Sequence, residues 1–307
     1  MAARRVRAFA KINLTLRVLG VRPDGYHELS TTFQTLALHD TLTFTATRGP
    51  FEIRCSDPAC PVDRTNLVWR AAEEVWRASR RRGEPEGIRV RLHKRIPLQA
   101  GLGGGSSDAA ATLMALPELW RVRISAARLT RLAATLGADV PFFLSGGTAF
   151  GLGRGDRLQS MDDIPPQWVV LVLPGFGVST TDAYDWWDRQ HAGANEDFPS
   201  PSAWRVPVAF RRRDDVRNDL EGLVAERHPE IGEIVAELKR AGAVHAAMSG
   251  SGSAVFGLFQ TRLRAKKATE GLGPAPFRTI VTRTLNRARY QALSNPRREA
   301  RRHSRRS

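Results

Sequence analysis

The sequence predicts an α+β fold, and three patterns carry that expectation. Residues 8–18 alternate apolar and polar side chains with the period of a strand, and turn residues then send the chain back into further strands. Apolar rows at helical spacing begin after Asn66 and recur downstream. From Trp168 onward, short strands and helices alternate without a long parallel run.

Ala10, Ile12, Leu14, Leu16 and Val18 form one face of the first strand. Phe9, Lys11, Asn13, Thr15 and Arg17 form the other, which predicts a half-buried strand. Pro23, Asp24 and Gly25 make a turn. Tyr26 and His27 open the return strand, which runs through Phe33 towards Leu38. His39 and Asp40 are expected to turn the chain again into a strand over 41–47, completing an antiparallel meander.

Asn66 can cap a helix from Leu67 to about Arg80, in which Trp69 and Trp76 read as packing residues. The strand Ile88–Leu92 leads into a glycine-rich stretch and an Ala-rich helix from Ala109 to Leu116, which Pro117 should end or kink. Ser125 to Leu136 reads as a helix stopped at Gly137. Gly146 and Gly147 open a strand through Phe150, and the run from Gly151 to Pro166 reads as a linker. Trp168 to Leu173 is a continuous apolar run, as in a buried strand. Helical patterns follow near Thr181–Arg189, Asp219–Arg227 and Glu230–Ala241. A second Gly/Ser loop, Met248 to Ser253, precedes the strand Ala254–Phe259. A helix and a last strand, Arg278 to Arg283, complete this half, and residues 190–216 read as irregular.

The 307 residues suffice for two domains, and no apolar run approaches the roughly 18 residues that span a bilayer. The basic start from Met1 to Arg7 leads into a strand pattern instead of an apolar core, so no signal peptide is expected. Cys55 and Cys60 lack the second pair a zinc site needs, and two thiols fit a reducing cytoplasm. The formal net charge of +16 raises the possibility of a nucleic-acid partner. Arginine is spread along the whole chain, however, and residues 286–307 alone hold eight Arg and one Glu. With few apolar groups and no periodicity, that tail is expected to be disordered. A nucleic-acid-binding protein would interleave aromatics with its basic residues, and the tail has one, Tyr290.

Pro97 to Ala110 is the most informative stretch, with four glycines among its fourteen residues followed by Ser106 and Ser107. A glycine loop that opens a helix points free N–H groups and a positive dipole end at one place, which suits a phosphate. No Gly-Lys-Ser/Thr follows, so this is no Walker loop, and Ser106 stands where the dinucleotide fingerprint needs its third glycine. Phosphoryl transfer also calls for a cation at the transferring group and a carboxylate beside the attacking hydroxyl. On pattern alone Lys11 fits either such a cation or a solvated strand lysine. Asp139 before Val140 and Pro141 fits either such a carboxylate or a helix N-cap.

Ala10 to Leu14, Gly25 to Leu29, Pro97 to Ala110, Gly137 to Pro141 and Ser249 to Ser253 resemble the GHMP kinase superfamily in order and spacing, from about residue 8 to residue 285. Asp24 to Leu29 with Asn218 to Glu221 are most similar to members acting on a diphosphocytidyl-linked methylerythritol. The resemblance implies a two-domain α+β architecture with its site in the cleft between halves. Residues 1–160 would resemble the second domain of ribosomal protein S5, residues 161–285 a ferredoxin-like sandwich, and 286–307 would be the basic tail. It implies ATP-dependent phosphorylation of the acceptor's 2-hydroxyl on the non-mevalonate route to isoprenoid precursors, with ATP and Mg2+.

Residue by residue, the resemblance makes Asp139 the base and Lys11 its partner. Pro97, Gly101, Leu102, Gly103, Gly104, Gly105, Ser106 and Ser107 would wrap the ATP phosphates. Tyr26 and His27 would form the cytosine pocket, with Tyr184, four residues after Thr180, stacking from the other side. Asn13 would frame the methylerythritol end, and Thr180, Gly250 and Ser251 would complete the substrate site. No second carboxylate for magnesium is apparent, so ATP and water would hold the ion. The partners expected are the cytidyl substrate and ATP, with no membrane and at most nonspecific nucleic-acid attraction by the tail. A homoserine or mevalonate kinase of the same superfamily would have no use for the Tyr26–His27 pair.

Overall fold

The computed structural model describes residues 3–191, 216–272 and 277–294. Its N-terminal half is built on β1 (Arg4–Val21) and β2 (His27–Pro50), which pair antiparallel along most of their length. β3 (Glu52–Cys55), helix α1 (Leu67–Ala78) and β4 (Glu86–His93) follow, with Asn66 capping α1 by accepting from Val68 N–H at 2.8 Å. Helices α2 (Gly104–Leu119) and α3 (Ala126–Leu136), a 3-10 turn (Val140–Leu144) and the strands β5 (Thr148–Gly153) and β6 (Arg157–Ser160) complete it. The sheet runs β3-β4-β2-β1, with β5 pairing to β2 and β6 to β5.

The second half opens with β7 (Trp168–Leu173) and α4 (Thr180–Gln190). After β8 (Arg217–Asn218) come α5 (Glu221–Arg227), α6 (Pro229–Arg240), β9 (His245–Met248) and β10 (Val255–Phe259). α7 (Arg262–Gly271), β11 (Arg278–Arg283) and α8 (Arg287–Ser294) end the described chain. Its antiparallel sheet has the order β11-β7-β10-β9 with helices packed on it, the ferredoxin-like arrangement. β8 does not join it, and pairs parallel to β1 through Thr15–Arg217 and Leu16–Asn218, lacing the two halves together.

Four sequence expectations need correction. β1 is not half-buried, because every residue from Ala8 to Leu14 is buried. Val6 and Ala8 lie in the cluster packed with the N-terminal helices, Phe9 lies beside Leu285 and Tyr290, and Ala10, Ile12 and Leu14 join a cluster shared with Leu171 and Phe256 of the second sheet. No turn forms at His39 and Asp40, where β2 runs on to Pro50 with an irregularity in its pairing to β1. Asp40 instead caps another part of the chain, its buried carboxylate accepting from Arg95 N–H at 2.5 Å and Ile96 N–H at 2.8 Å. The run after Gly151 is not a bare linker, because β5 and β6 form a hairpin with Gly153 and Gly155 in left-handed backbone at its turn.

The basic tail begins with a helix, contrary to the disorder expected of it. Residues 287–294 form α8, whose Tyr290 is buried beside Phe9 and Leu285 and donates a hydrogen bond to the carbonyl of Phe143. Charge density had masked a short helix with a single aromatic anchor. Residues 295–307 and most of 190–216 lie outside the described residues. α2 runs through Pro117 and ends two residues later, at Leu119. The helix also begins earlier than the Ala-rich run, so Gly104 to Ser107 are its first turn.

Candidate active site

Lys11 is buried on β1, and its amine sits at a junction of three segments. Lys11 Nζ donates to Asn13 Oδ1 at 2.6 Å and lies 3.2 Å from Asp139 Oδ2. Asn13 is oriented in turn, because its Nδ2 donates to Thr31 Oγ1 at 2.7 Å and so leaves Oδ1 for the lysine. Phe33 lies beneath the ammonium, 5.6 Å from it, and stacks on Phe142 at 5.0 Å. This apolar floor excludes water from one side and strengthens the Lys11–Asp139 attraction. The solvated-lysine alternative is therefore ruled out.

Asp139 occupies the cap position of the 3-10 turn, yet its side chain makes no capping hydrogen bond. The turn is closed by backbone instead, with Val140 N–H donating to Gly137 O at 3.2 Å. Freed from capping, the Asp139 carboxylate faces Lys11 and keeps 30% of its surface accessible. A half-exposed carboxylate held by a buried ammonium can accept a proton from a bound hydroxyl.

The glycine loop arrives at the same point. Lys11 N–H donates to Leu102 O at 3.0 Å, and Gly103, in left-handed backbone, caps α2 without any side chain. The N–H groups of Gly104, Gly105 and Ser106 in the first turn therefore meet no capping side chain and are open to an anion. Gly105 is exposed there, and a Cβ on it would touch little beyond Leu67. The other glycines serve packing: a Cβ on Gly101 would strike the Ser249 carbonyl oxygen, and one on Gly103 would lie 2.8 Å from Phe143. Gly104 is helical, and its Cβ would press Ile96 at 3.0 Å. Pro97 is half-buried upstream of the turn, while Ser106 is half-buried and Ser107 buried within it.

Beneath this loop lies a charged cluster that the sequence reading missed. Lys94 Nζ bridges Asp40 Oδ2 at 2.5 Å and Asp108 Oδ2 at 2.8 Å, and all three side chains are buried. Burial pushes the Asp108 carboxyl up to about 7 against the pull of Lys94, with Asp40 adding to the rise. Among the described residues, Asp108 Oδ1 finds no hydrogen-bond partner. The only sequence signal was polar residues flanking a glycine motif, which does not separate buried from exposed.

The second Gly/Ser loop packs onto the first. Asn13 N–H donates to Ser249 Oγ at 3.3 Å, and Ser249 Oγ donates to Gly101 O at 3.0 Å. Ser251 Oγ and Thr180 Oγ1 are 3.0 Å apart, so Thr180, Gly250 and Ser251 border the same junction as Asn13.

The aromatic residues are placed less simply. His27 stacks on Tyr184 with ring centroids 4.5 Å apart, and its Nε2 is 2.7 Å from Asp188 Oδ1. Trp187 meets the same imidazole edge-on. Burial pushes the Tyr184 hydroxyl pKa up, and the Asp139 charge adds to the rise. Tyr26 is exposed, with the Arg154 guanidinium 4.8 Å over its ring. The structure thus brings His27 and Tyr184 together, and sets Tyr26 on Arg154, which the linker reading had overlooked.

Comparisons with known proteins agree with this architecture. Residues 66–147 match the model for the N-terminal domain of GHMP kinases, and residues 209–279 match the model for their C-terminal domain. The chain is 44% identical over 284 residues to a 4-diphosphocytidyl-2-C-methyl-D-erythritol kinase of Moorella thermoacetica, covering 91% of this chain and 98% of that one. It is 46% identical to the protein of the same name from Solibacter usitatus, covering 94% and 90%. A crystal structure of 4-(cytidine 5'-diphospho)-2C-methyl-D-erythritol kinase superposes with a TM-score of 0.73 at 35% identity, over 92% of this chain and 99% of that one. A homoserine kinase of Cytophaga hutchinsonii, at 16% identity and a TM-score of 0.64, shares the fold.

Proposed function

We infer, because the chain belongs to the GHMP kinases and within them to the 4-diphosphocytidyl-2-C-methyl-D-erythritol kinases, that it transfers a phosphoryl group from ATP to the 2-hydroxyl of that acceptor. It is a small-molecule kinase, giving the 2-phosphate and ADP in the synthesis of isoprenoid precursors. The observation that carries the mechanism is the Lys11–Asp139 contact at the mouth of the α2 first turn.

Asp139 accepts the proton of the acceptor hydroxyl as that oxygen bonds to phosphorus. Lys11 holds that carboxylate in place through the 3.2 Å contact and faces the charge that develops on the transferring group. The N–H groups of Gly104, Gly105 and Ser106 hold phosphate oxygens at the positive end of α2. Asn13, Thr180, Gly250 and Ser251 hold the methylerythritol end, while Tyr26, His27 and Tyr184 take the cytosine. Among the described residues, no group of three His, Cys, Asp or Glu is placed to hold a metal ion. Where Mg2+ binds with ATP, phosphate oxygens and water would hold it, and it would supply positive charge against the phosphates.

The site lies where residues 1–160 meet residues 161–285. Among the described residues no helix is long and apolar enough to cross a membrane, and both cysteines are free, which suits a cytoplasmic enzyme. ADP release measured with MgATP and a panel of alcohols tests the reading. Turnover is expected with the diphosphocytidyl acceptor, and equal or faster turnover with homoserine or mevalonate would overturn it.

A further inference from the structure

We propose that Asn218 is a positioning residue, which together with Glu221 sets the backbone of the 248–253 loop against Asn13 and so aligns the acceptor hydroxyl. The choice of acceptor rests on the kinase reading above, but the geometry of the clamp does not.

Asn218 is buried, and its side-chain amide is used on both sides. Nδ2 donates to Met248 O at 2.9 Å and to Gly250 O at 2.7 Å, while Oδ1 accepts from Leu220 N–H at 3.0 Å. Glu221 Oε2 accepts from Met248 N–H at 2.7 Å. One short segment therefore holds three backbone groups of the loop. The same segment is pinned to β1, since Asp219 N–H donates to Leu16 O at 2.9 Å and Val18 N–H donates to Asp219 Oδ2 at 3.1 Å. Strand β1 also carries Lys11 and Asn13. Asn218 thus ties the loop to the strand that holds the reacting groups.

The consequence follows from peptide geometry. A trans peptide points its C=O and its N–H in opposite directions. Anchoring the Gly250 carbonyl on Asn218 therefore turns the Ser251 N–H away from Asn218. Among the described residues no protein group accepts from the N–H of Gly250 or of Ser251. Gly250 and Gly252 hold left-handed backbone, so the loop has little conformational preference of its own and takes its shape from these contacts.

Asn218→Asp keeps size and the acceptor for Leu220, but sets a carboxylate against two carbonyl oxygens. Glu221→Ala removes the Met248 anchor alone, and Glu221→Gln restores an acceptor. Amide hydrogen exchange of peptides spanning 247–254 is measured with the full chain and no ligand, beside kcat, both KM values and Tm. The expected result is at least about tenfold faster exchange in that segment for Asn218→Asp and Glu221→Ala. Their kcat/KM for the acceptor should fall about 10- to 100-fold, the scale of a small misplacement, with the ATP KM within about twofold. Glu221→Gln should recover most of both losses.

Unchanged loop exchange would overturn the proposal, as would faster exchange with unaltered acceptor kinetics. Equal losses for ATP and acceptor that track a falling Tm would reduce Asn218 to a stability residue. If Asn218→Asp does not fold, the Glu221 pair decides the same question. A wild-type chain that ignores the diphosphocytidyl acceptor would sink the substrate assignment alone, because loop exchange and the kinetics of whichever alcohol it phosphorylates still test the clamp.

Discussion

Lys11 Nζ and Asp139 Oδ2 lie 3.2 Å apart, joining the first strand to the turn that follows α2 and α3 in the chain. The carboxylate caps nothing, so its loss should leave the turn intact. Asp139→Asn is expected to lower turnover by about two to four orders of magnitude, the usual contribution of a positioned base. ATP affinity should hardly change, while the melting temperature should fall somewhat because buried Lys11 loses its counter-charge. Near-normal turnover in the folded variant would remove Asp139 from the chemistry.

Tyr184→Ala removes the ring stacked on His27. Stacking of an aromatic on a base is worth about 1–3 kcal/mol, so affinity for the cytidyl acceptor should drop roughly five- to 150-fold while ATP binds as before. Tyr26→Ala should act in the same direction. Titration calorimetry with each ligand separates the two, and an ATP-selective loss would mean that the two pockets have been exchanged.

Gly101→Ala is expected to damage both loops together. Residue 101 has φ +72°, and a Cβ there would strike the Ser249 carbonyl oxygen. A left-handed alanine costs about 1–2 kcal/mol before any clash. Turnover should fall with a lowered Tm, and crystals of the variant should show Ser249 displaced. An unmoved Ser249 would contradict the packing described.

Asp108 makes stability depend on pH. Its folded carboxyl is raised to about 7 from an ordinary 3.8, so the folded chain holds that proton more tightly than the unfolded chain. The group's contribution is complete below pH ~4 and is lost as pH rises towards ~7. Lys94 is shifted upward by the two carboxylates despite its burial, and titrates far above this window. Asp108→Asn should therefore flatten the pH dependence of urea unfolding between pH 4 and 7. An identical slope in both proteins would show that Asp108 is ionised throughout.

Truncation separates α8 from the residues beyond it. Removing 295–307 should leave turnover and Tm unchanged, while weakening a salt-sensitive attraction to polyanions. Tyr290→Ala should cost about 3–5 kcal/mol, the range for deleting a buried ring, and it strands the Phe143 carbonyl. Because Phe143 belongs to the turn that follows Asp139, its kcat should fall as well. Loss of turnover on removing 295–307 at constant Tm would show that the tail reaches the site.

Local order was legible where the cause is local. Asn66 caps α1, α3 stops at Gly137, and the apolar run at Trp168 is a central strand of the second sheet. The glycines from 101 to 105 announced an anion loop because helix N-termini and left-handed backbone are properties of a few adjacent residues. Order and spacing of short motifs indicated the family and the residues worth testing.

What tertiary structure decided was the environment of each charge. Pattern left Lys11 equally a surface lysine or a buried cation, and Asp139 a cap or a base. Only the packing of β1 between both halves buries the one and aims the other. The same holds for Lys94, Asp40 and Asp108, three polar residues whose burial appears only when β2, the loop and α2 converge. Tyr290 looked like part of a charged tail until Phe9 and the Phe143 carbonyl supplied its pocket. Periodicity and capping depend on neighbours in the chain and can be read there. The ionisation and reach of a side chain depend on its neighbours in space, which the fold alone supplies.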